Sequence, residues 1–149
     1  MAADRRGPML ARIAEVRGQR LTRAATEAHE ACEAALAAAE RARQEREAAA
    51  ATRREARAAF VSTPACAQAR LWLDRTIAGE TGAVAELSDR SARLDLARDA
   101  HLHAVGALAR HQVRSDVIAA HHRDSVRADQ RRAEDRLETE APVARVRAS

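Results

Sequence analysis

A chain of 149 residues has room for one domain, and its 46% hydrophobic content is mostly alanine, with one Phe, one Trp and no Tyr. Such side chains cannot fill a thick layered core. The 32% of charged residues, dominated by Arg and Glu with no Lys, fits long helices instead. The net charge is 26 − 22 = +4 with both signs interleaved, a weak basis for binding nucleic acid.

The first residues, Met1 to Pro8, carry Arg5 and Arg6 but no apolar core behind them, so no signal peptide is read. Pro8 suits a first helical turn. Met9, Leu10, Ile13 and Val16 then form an apolar stripe, and Gly18 is a weak spot costing about 1 kcal/mol relative to Ala.

From Leu21 to Phe60 the chain has no Gly or Pro and repeats every seven residues. Leu21, Ala28, Ala35, Ala42, Ala49 and Ala56 are all apolar; the alternate series Ala25, Cys32, Ala39 is apolar until Arg46 and Arg53 interrupt it. A period of 3.5 marks a helix packed along one narrow seam against another helix. Arg41 with Glu45 and Arg43 with Glu47 stand at supportive spacing.

Ser62-Thr63-Pro64 ends this arm, with a new helix starting at Pro64. The piece that follows holds Leu71, Trp72, Leu73 and Ile77, the densest cluster of large apolar groups. A second break is expected at Gly79 to Gly82, with Thr81 as an N-cap. A third run reaches about Glu140, where Pro142 stops it, leaving a frayed tail over 141–149. Its stripe is read as Val84, Leu87, Leu94, Leu102 or His101, Val105, Leu108, Val113, Val117, Ala120 and Val126. These larger residues can face the alanine seam of the first arm.

The expected architecture is all-α: one antiparallel two-helix coiled-coil hairpin, with arm one over about 8–61, a bend region over 62–82 and arm two to about 140. The tip falls near Pro64 or near Gly79; Ser-Thr-Pro breaks a helix more surely than Gly, which favours the former. An arm of roughly 53 residues is about 80 Å long.

No chemistry-bearing motif emerges. The histidines, His29, His101, His103, His111, His121 and His122, include no i, i+4 pair, and there is no Cys-x-x-Cys, so they read as solvated helix residues rather than metal ligands. No Gly-rich loop cradles a phosphate, and a two-helix rod offers no enclosed pocket, so neither cofactor nor catalysis is expected. Cys32 and Cys66 are too few for a disulfide framework and suit a reducing cytoplasm. No run of about eighteen apolar residues exists to insert in a membrane.

Docking is the remaining activity. Arg5, Arg6, Arg12, Arg17, Arg20 and Arg23 face only Asp4 and Glu15 in the same stretch, giving a basic N-terminal end that reads either as a solvated helix face or as one that docks into an acidic protein socket. Trp72 is read either as a residue packed at the bend or as an exposed anchor, since Trp and Arg dominate interface hot spots.

Met-Leu-Ala-Arg-Ile-Ala-Glu-Val-Arg-x-x-Arg (Met9 to Arg20), an Ala/Glu/Arg arm ending Ala-Ala-Phe at Phe60, and Arg-Ala-Asp-Gln-Arg-Arg-Ala-Glu-Asp-Arg (Arg127 to Arg136) together resemble the FliJ/YscO family. These are coiled-coil stalk proteins of type III secretion systems. The resemblance covers nearly the whole chain and rests on loose helical patterns. It implies an antiparallel hairpin whose open end inserts into the hexameric secretion ATPase, while the tip contacts the export-gate membrane protein. Some members also bind export chaperones. By region, the ring contacts would be Arg12, Ile13, Val16, Arg17, Arg20, Arg131, Arg132 and Arg136, and the gate contacts Leu71, Trp72, Arg75 and Ile77. The Gly79/Gly82 break and the lack of Lys depart from the pattern. The alternative is a structural scaffold or peripheral-stalk subunit, built on the same seams.

Overall fold

The computed structural model describes residues 6–147, and the side chains of 9–139. Arg5, and 148–149 of the expected tail, lie outside the described residues. The fold is an all-α helical hairpin of two elements, α1 (Arg6–Ser62) and α2 (Ala67–Arg147), of 57 and 81 residues. The chain divides into two compact units. One, the turn unit, spans Arg23–Val105; the other, the terminal unit, joins Met1–Thr22 to Gly106–Ser149.

In the turn unit, the reversal is made by Thr63, Pro64, Ala65 and Cys66. The Cys66 amide donates to the Thr63 carbonyl at 3.0 Å, closing a four-residue turn with Pro64 at its second position, where a fixed φ is favourable. No described residue has a positive φ. The last carbonyls of α1 are satisfied locally. Thr63 donates to Ala59 through its amide at 3.1 Å and its hydroxyl at 3.0 Å, and Ser62 Oγ donates to the Ala58 carbonyl at 3.0 Å. The Cys66 carbonyl then accepts from the Arg70 amide at 3.2 Å, so α2 begins at Ala67 rather than at Pro64.

The expected break at Gly79 and Gly82 does not occur: both lie inside α2. Thr81 is not an N-cap, because its hydroxyl bonds back to the Ile77 carbonyl at 2.9 Å. Each glycine costs the helix about 1 kcal/mol, too little to stop a helix whose other face is packed. The far end differs as well, since α2 continues past Pro142 to Arg147.

Name the heptad positions a to g, with a and d in the seam. In α1 the buried or half-buried residues follow the expected series through Ala25, Ala28, Cys32, Ala35, Ala39, Ala42, Ala49, Ala56 and Phe60. Arg46 and Arg53 keep their register: Arg46 reaches outward to water, and Arg53 reaches across to Glu80. In α2 the seam is Ala69, Leu73, Thr76, Glu80, Ala83, Leu87, Arg90, Leu94, Ala97, His101 and Ala104, an unbroken 4-3 alternation.

The antiparallel turn sets large residues of one helix level with small ones of the other: Leu73 with Ala56, Leu87 with Ala42, Arg90 with Ala39, Leu94 with Ala35, His101 with Ala28. Size complementarity of this kind lets two thin helices approach closely. One ion pair crosses the seam, between Arg53 and Glu80 at 2.5 Å. Along α2, Arg90 pairs with Glu86 at 2.7 Å and Arg93 with Asp89 at 2.9 Å, each acid one turn before its arginine. On α1, Arg43 bonds Glu40 at 3.3 Å instead of Glu47, because an acid on the N-terminal side is better oriented.

Within the terminal unit the seam is thinner. Ala14, Gly18 and Leu21 of α1 are half-buried, as are Leu108, His111 and Ser115 of α2. The His111 Nε2–H donates to the Ala14 carbonyl at 2.9 Å, and Ser115 Oγ lies 3.4 Å from the same nitrogen. Gly18 explains the approach: a Cβ there would meet His111 Nε2 at 3.2 Å. Arg6 lies twelve residues before Gly18 and so falls level with Arg123, twelve after His111. Residues 121–139 are all exposed except the half-buried Ala128.

Several expected stripe residues point outward. Met9, Leu10, Ile13 and Val16 are exposed, as are Val84, Leu102, Val105, Val113, Val117 and Val126. On α2 the buried or half-buried residues include Leu87, Leu94, His101, Leu108 and His111, and the valines fall beside them; on α1, Ala14 and Gly18 take the seam in place of Ile13 and Val16. His101 and His111 are therefore seam residues rather than solvated ones.

Candidate docking surfaces

The first surface lies on α1 in the terminal unit. Met9, Arg12, Ile13, Val16, Arg17 and Arg20 recur at helical spacing and line one open depression. Ile13 is 53% and Met9 66% exposed. Among the described residues, no acid stands within ion-pair distance of Arg12, Arg17 or Arg20, in contrast to the paired arginines of α2. A face with three uncompensated guanidinium groups around three large apolar side chains suits an acidic, partly apolar surface. Five of the eight expected ring contacts thus come together, and Met9 joins them. The i, i+3, i+4 spacing of Met9 could have revealed it.

The remaining three, Arg131, Arg132 and Arg136, lie on the exposed part of α2 in the same unit. Arg132 is held by Asp129 at 3.4 Å, and Arg127 by Asp124 at 4.0 Å. Short-range acid–base pairs such as these support an exposed helix.

The second surface lies beside the turn. Leu71, Trp72 and Arg75 are exposed and share one side of α2, with Val61 exposed at the end of α1. Trp72 keeps 40% of its surface free. Ile77 is also exposed but stands about 140° around the helix from Trp72, at ~100° per residue. It does not join that cluster.

Among the described residues no group of three His, Cys, Asp or Glu side chains converges. His29 and His101 do approach across the seam of the turn unit, with ring centroids 5.2 Å apart. His101 Nδ1 is buried without a hydrogen-bond partner. Cys32 and Cys66 are free thiols. Among the described residues no helix is long and apolar enough to cross a membrane. No protein-family model, curated protein or solved structure matches the chain.

Proposed function

We propose that the chain is a non-enzymatic coiled-coil stalk of a type III secretion system, cytoplasmic and peripheral to the inner-membrane export apparatus. The observation that carries this reading is the α1 face in which Arg12, Arg17 and Arg20, free of ion pairs, surround exposed Met9, Ile13 and Val16. Its chemistry suits the acidic lining of a hexameric secretion ATPase, with Arg131, Arg132 and Arg136 of α2 adding charge to the same unit. The separate cluster of Leu71, Trp72 and Arg75, with Ile77 contributing from another side of α2, is assigned to the export-gate membrane protein. Export chaperones are further partners. Neither nucleic acid nor bilayer insertion enters the scheme.

Hydrolysis by the ATPase measured with and without the chain tests this. The account expects stimulated hydrolysis and hexamer assembly, lost on combining Arg12→Glu, Arg17→Glu and Arg20→Glu. It expects Trp72→Ala to leave stimulation intact while weakening capture of the gate protein's cytoplasmic part. Unchanged hydrolysis together with no detectable binding would refute the stalk role.

A further inference from the structure

The two sides of the seam in the turn unit are unlike. On one side Ala38 and Glu45 of α1 gather with Glu86 of α2, so the g positions of both helices lie together there. Trp72 apart, that side is made of small or polar residues, such as Ala31, Thr52, Gly79 and Ala100. The e positions fall on the other side, where His29 meets His101 and Arg53 meets Glu80.

On this e side the residues are larger and apolar: Leu36 of α1, and Ile77, Val84 and Val105 of α2. They are 40% to 48% exposed, against 57% to 71% for Leu71, Leu96 and Leu102, which point fully outward. A strict a/d seam serves a two-stranded coiled coil, whereas apolar residues at a, d and e mark a helix that packs against more than one neighbour.

The charges beside this stripe say what covers it. Among the described residues, Arg57 at an e position, and Glu33 and Asp74 at the adjoining b positions, make no ion pair, and Arg98 has only the loose, exposed contact with Asp95 at 3.6 Å. Antiparallel pairing about the turn puts Arg57 nearly level with Asp74, and Glu33 nearly level with Arg98, but on opposite helices. A two-fold axis parallel to the helices keeps every level and lays α1 of one copy over α2 of the other. Arg57 then reaches Asp74 of the second copy, Glu33 reaches Arg98, and Ala50 sits over Ile77. Both signs are supplied by one surface, which is what an isologous contact requires.

We infer that the e side of the turn unit is a self-association surface on which two copies of this chain form a four-helix bundle. The inference is independent of the stalk reading and involves only Ile77 among the residues assigned there.

Analytical ultracentrifugation of the whole chain tests it, with circular dichroism to confirm that each variant stays helical. The wild type is expected to be a dimer at micromolar concentration, and Val84→Glu a helical monomer. Arg57→Asp and Asp74→Arg should each weaken the dimer about tenfold, since each places two like-charge pairs across it. Mixing those two variants should restore dimers, because both contacts then regain opposite charges, a result no intrachain pair can give. A wild type that stays monomeric to about 100 µM overturns the inference, as does a dimer indifferent to Val84→Glu or a mixture no tighter than its components. A monomer that instead binds a foreign helix through Val84 overturns the assignment of the second copy.

Discussion

The two units use the same pair of helices in different ways. Among the described residues the five buried side chains, Ala39, Ala42, Ala56, Ala69 and Leu94, belong to the turn unit, where small and large residues alternate across the seam. No described side chain in the terminal unit is buried. There the link between α1 and α2 includes a hydrogen bond from His111, admitted by Gly18, while the large apolar groups Met9, Leu10, Ile13 and Val16 face solvent. One pair of helices can thus close its seam with interleaved apolar side chains at one place and with a glycine and a hydrogen bond at another. The seven-residue period does not reveal which.

Substitutions can break or sharpen this contrast. The largest effect is expected at Leu94: Leu94→Ala should lower the stability of the turn unit by about 2–3 kcal/mol, read by thermal melting, because the removed methyl groups leave a gap against Ala35. Ile13→Ala, by contrast, should leave the melting temperature of the free chain nearly unchanged.

Glycine replacements give the sharpest comparison. Gly79 and Gly82 have nothing within 4 Å of a built Cβ, so Gly79→Ala and Gly82→Ala should each stabilise by about 1 kcal/mol. Gly18→Ala makes the same gain in helix propensity but presses on His111, so its net effect should fall well short of theirs. A gain at Gly18 equal to that at Gly79 would mean that the histidine contact is unimportant.

His111→Ala should cost about 1 kcal/mol, confined to faster amide exchange in the terminal unit. The smallest change is expected for Glu80→Ala. Its arginine partner is 44% exposed at the side chain, so the ion pair contributes less than ~1 kcal/mol.

Much of α1 was legible because nothing interrupts its period: the series from Ala25 to Phe60 is the series found against α2. The turn at Pro64 was legible for a chemical reason, since proline cannot donate a hydrogen bond and constrains the residue before it. Gly79 and Gly82 misled because glycine lowers helix propensity without forbidding helix, and the cost is offset by packing at Thr76, Glu80 and Ala83. Along α2 the expected stripe is met at Leu87, Leu94, Leu108 and, of the two residues offered at that level, His101, but its valines lie outside the seam, and His111, which reads as solvated in the sequence, lies in it. Of the docking faces, Met9 to Arg20 could be read as chemistry, but its exposure could not. That depended on Ala14 and Gly18, rather than Ile13 and Val16, taking the seam.

In the turn unit α1 and α2 hold each other through their own seam, whereas, in the proposed function, the exposed α1 face of the terminal unit is completed by an acidic partner. Hydrogen–deuterium exchange of the full chain, alone and with a hexameric secretion ATPase, tests it most directly. The account predicts slow exchange over 25–105 in both samples. It also predicts fast exchange over 9–22 and 106–139 in the free chain, slowing when the ATPase is added. Equal protection along the whole free chain, or exchange at 9–22 indifferent to the ATPase, would contradict it.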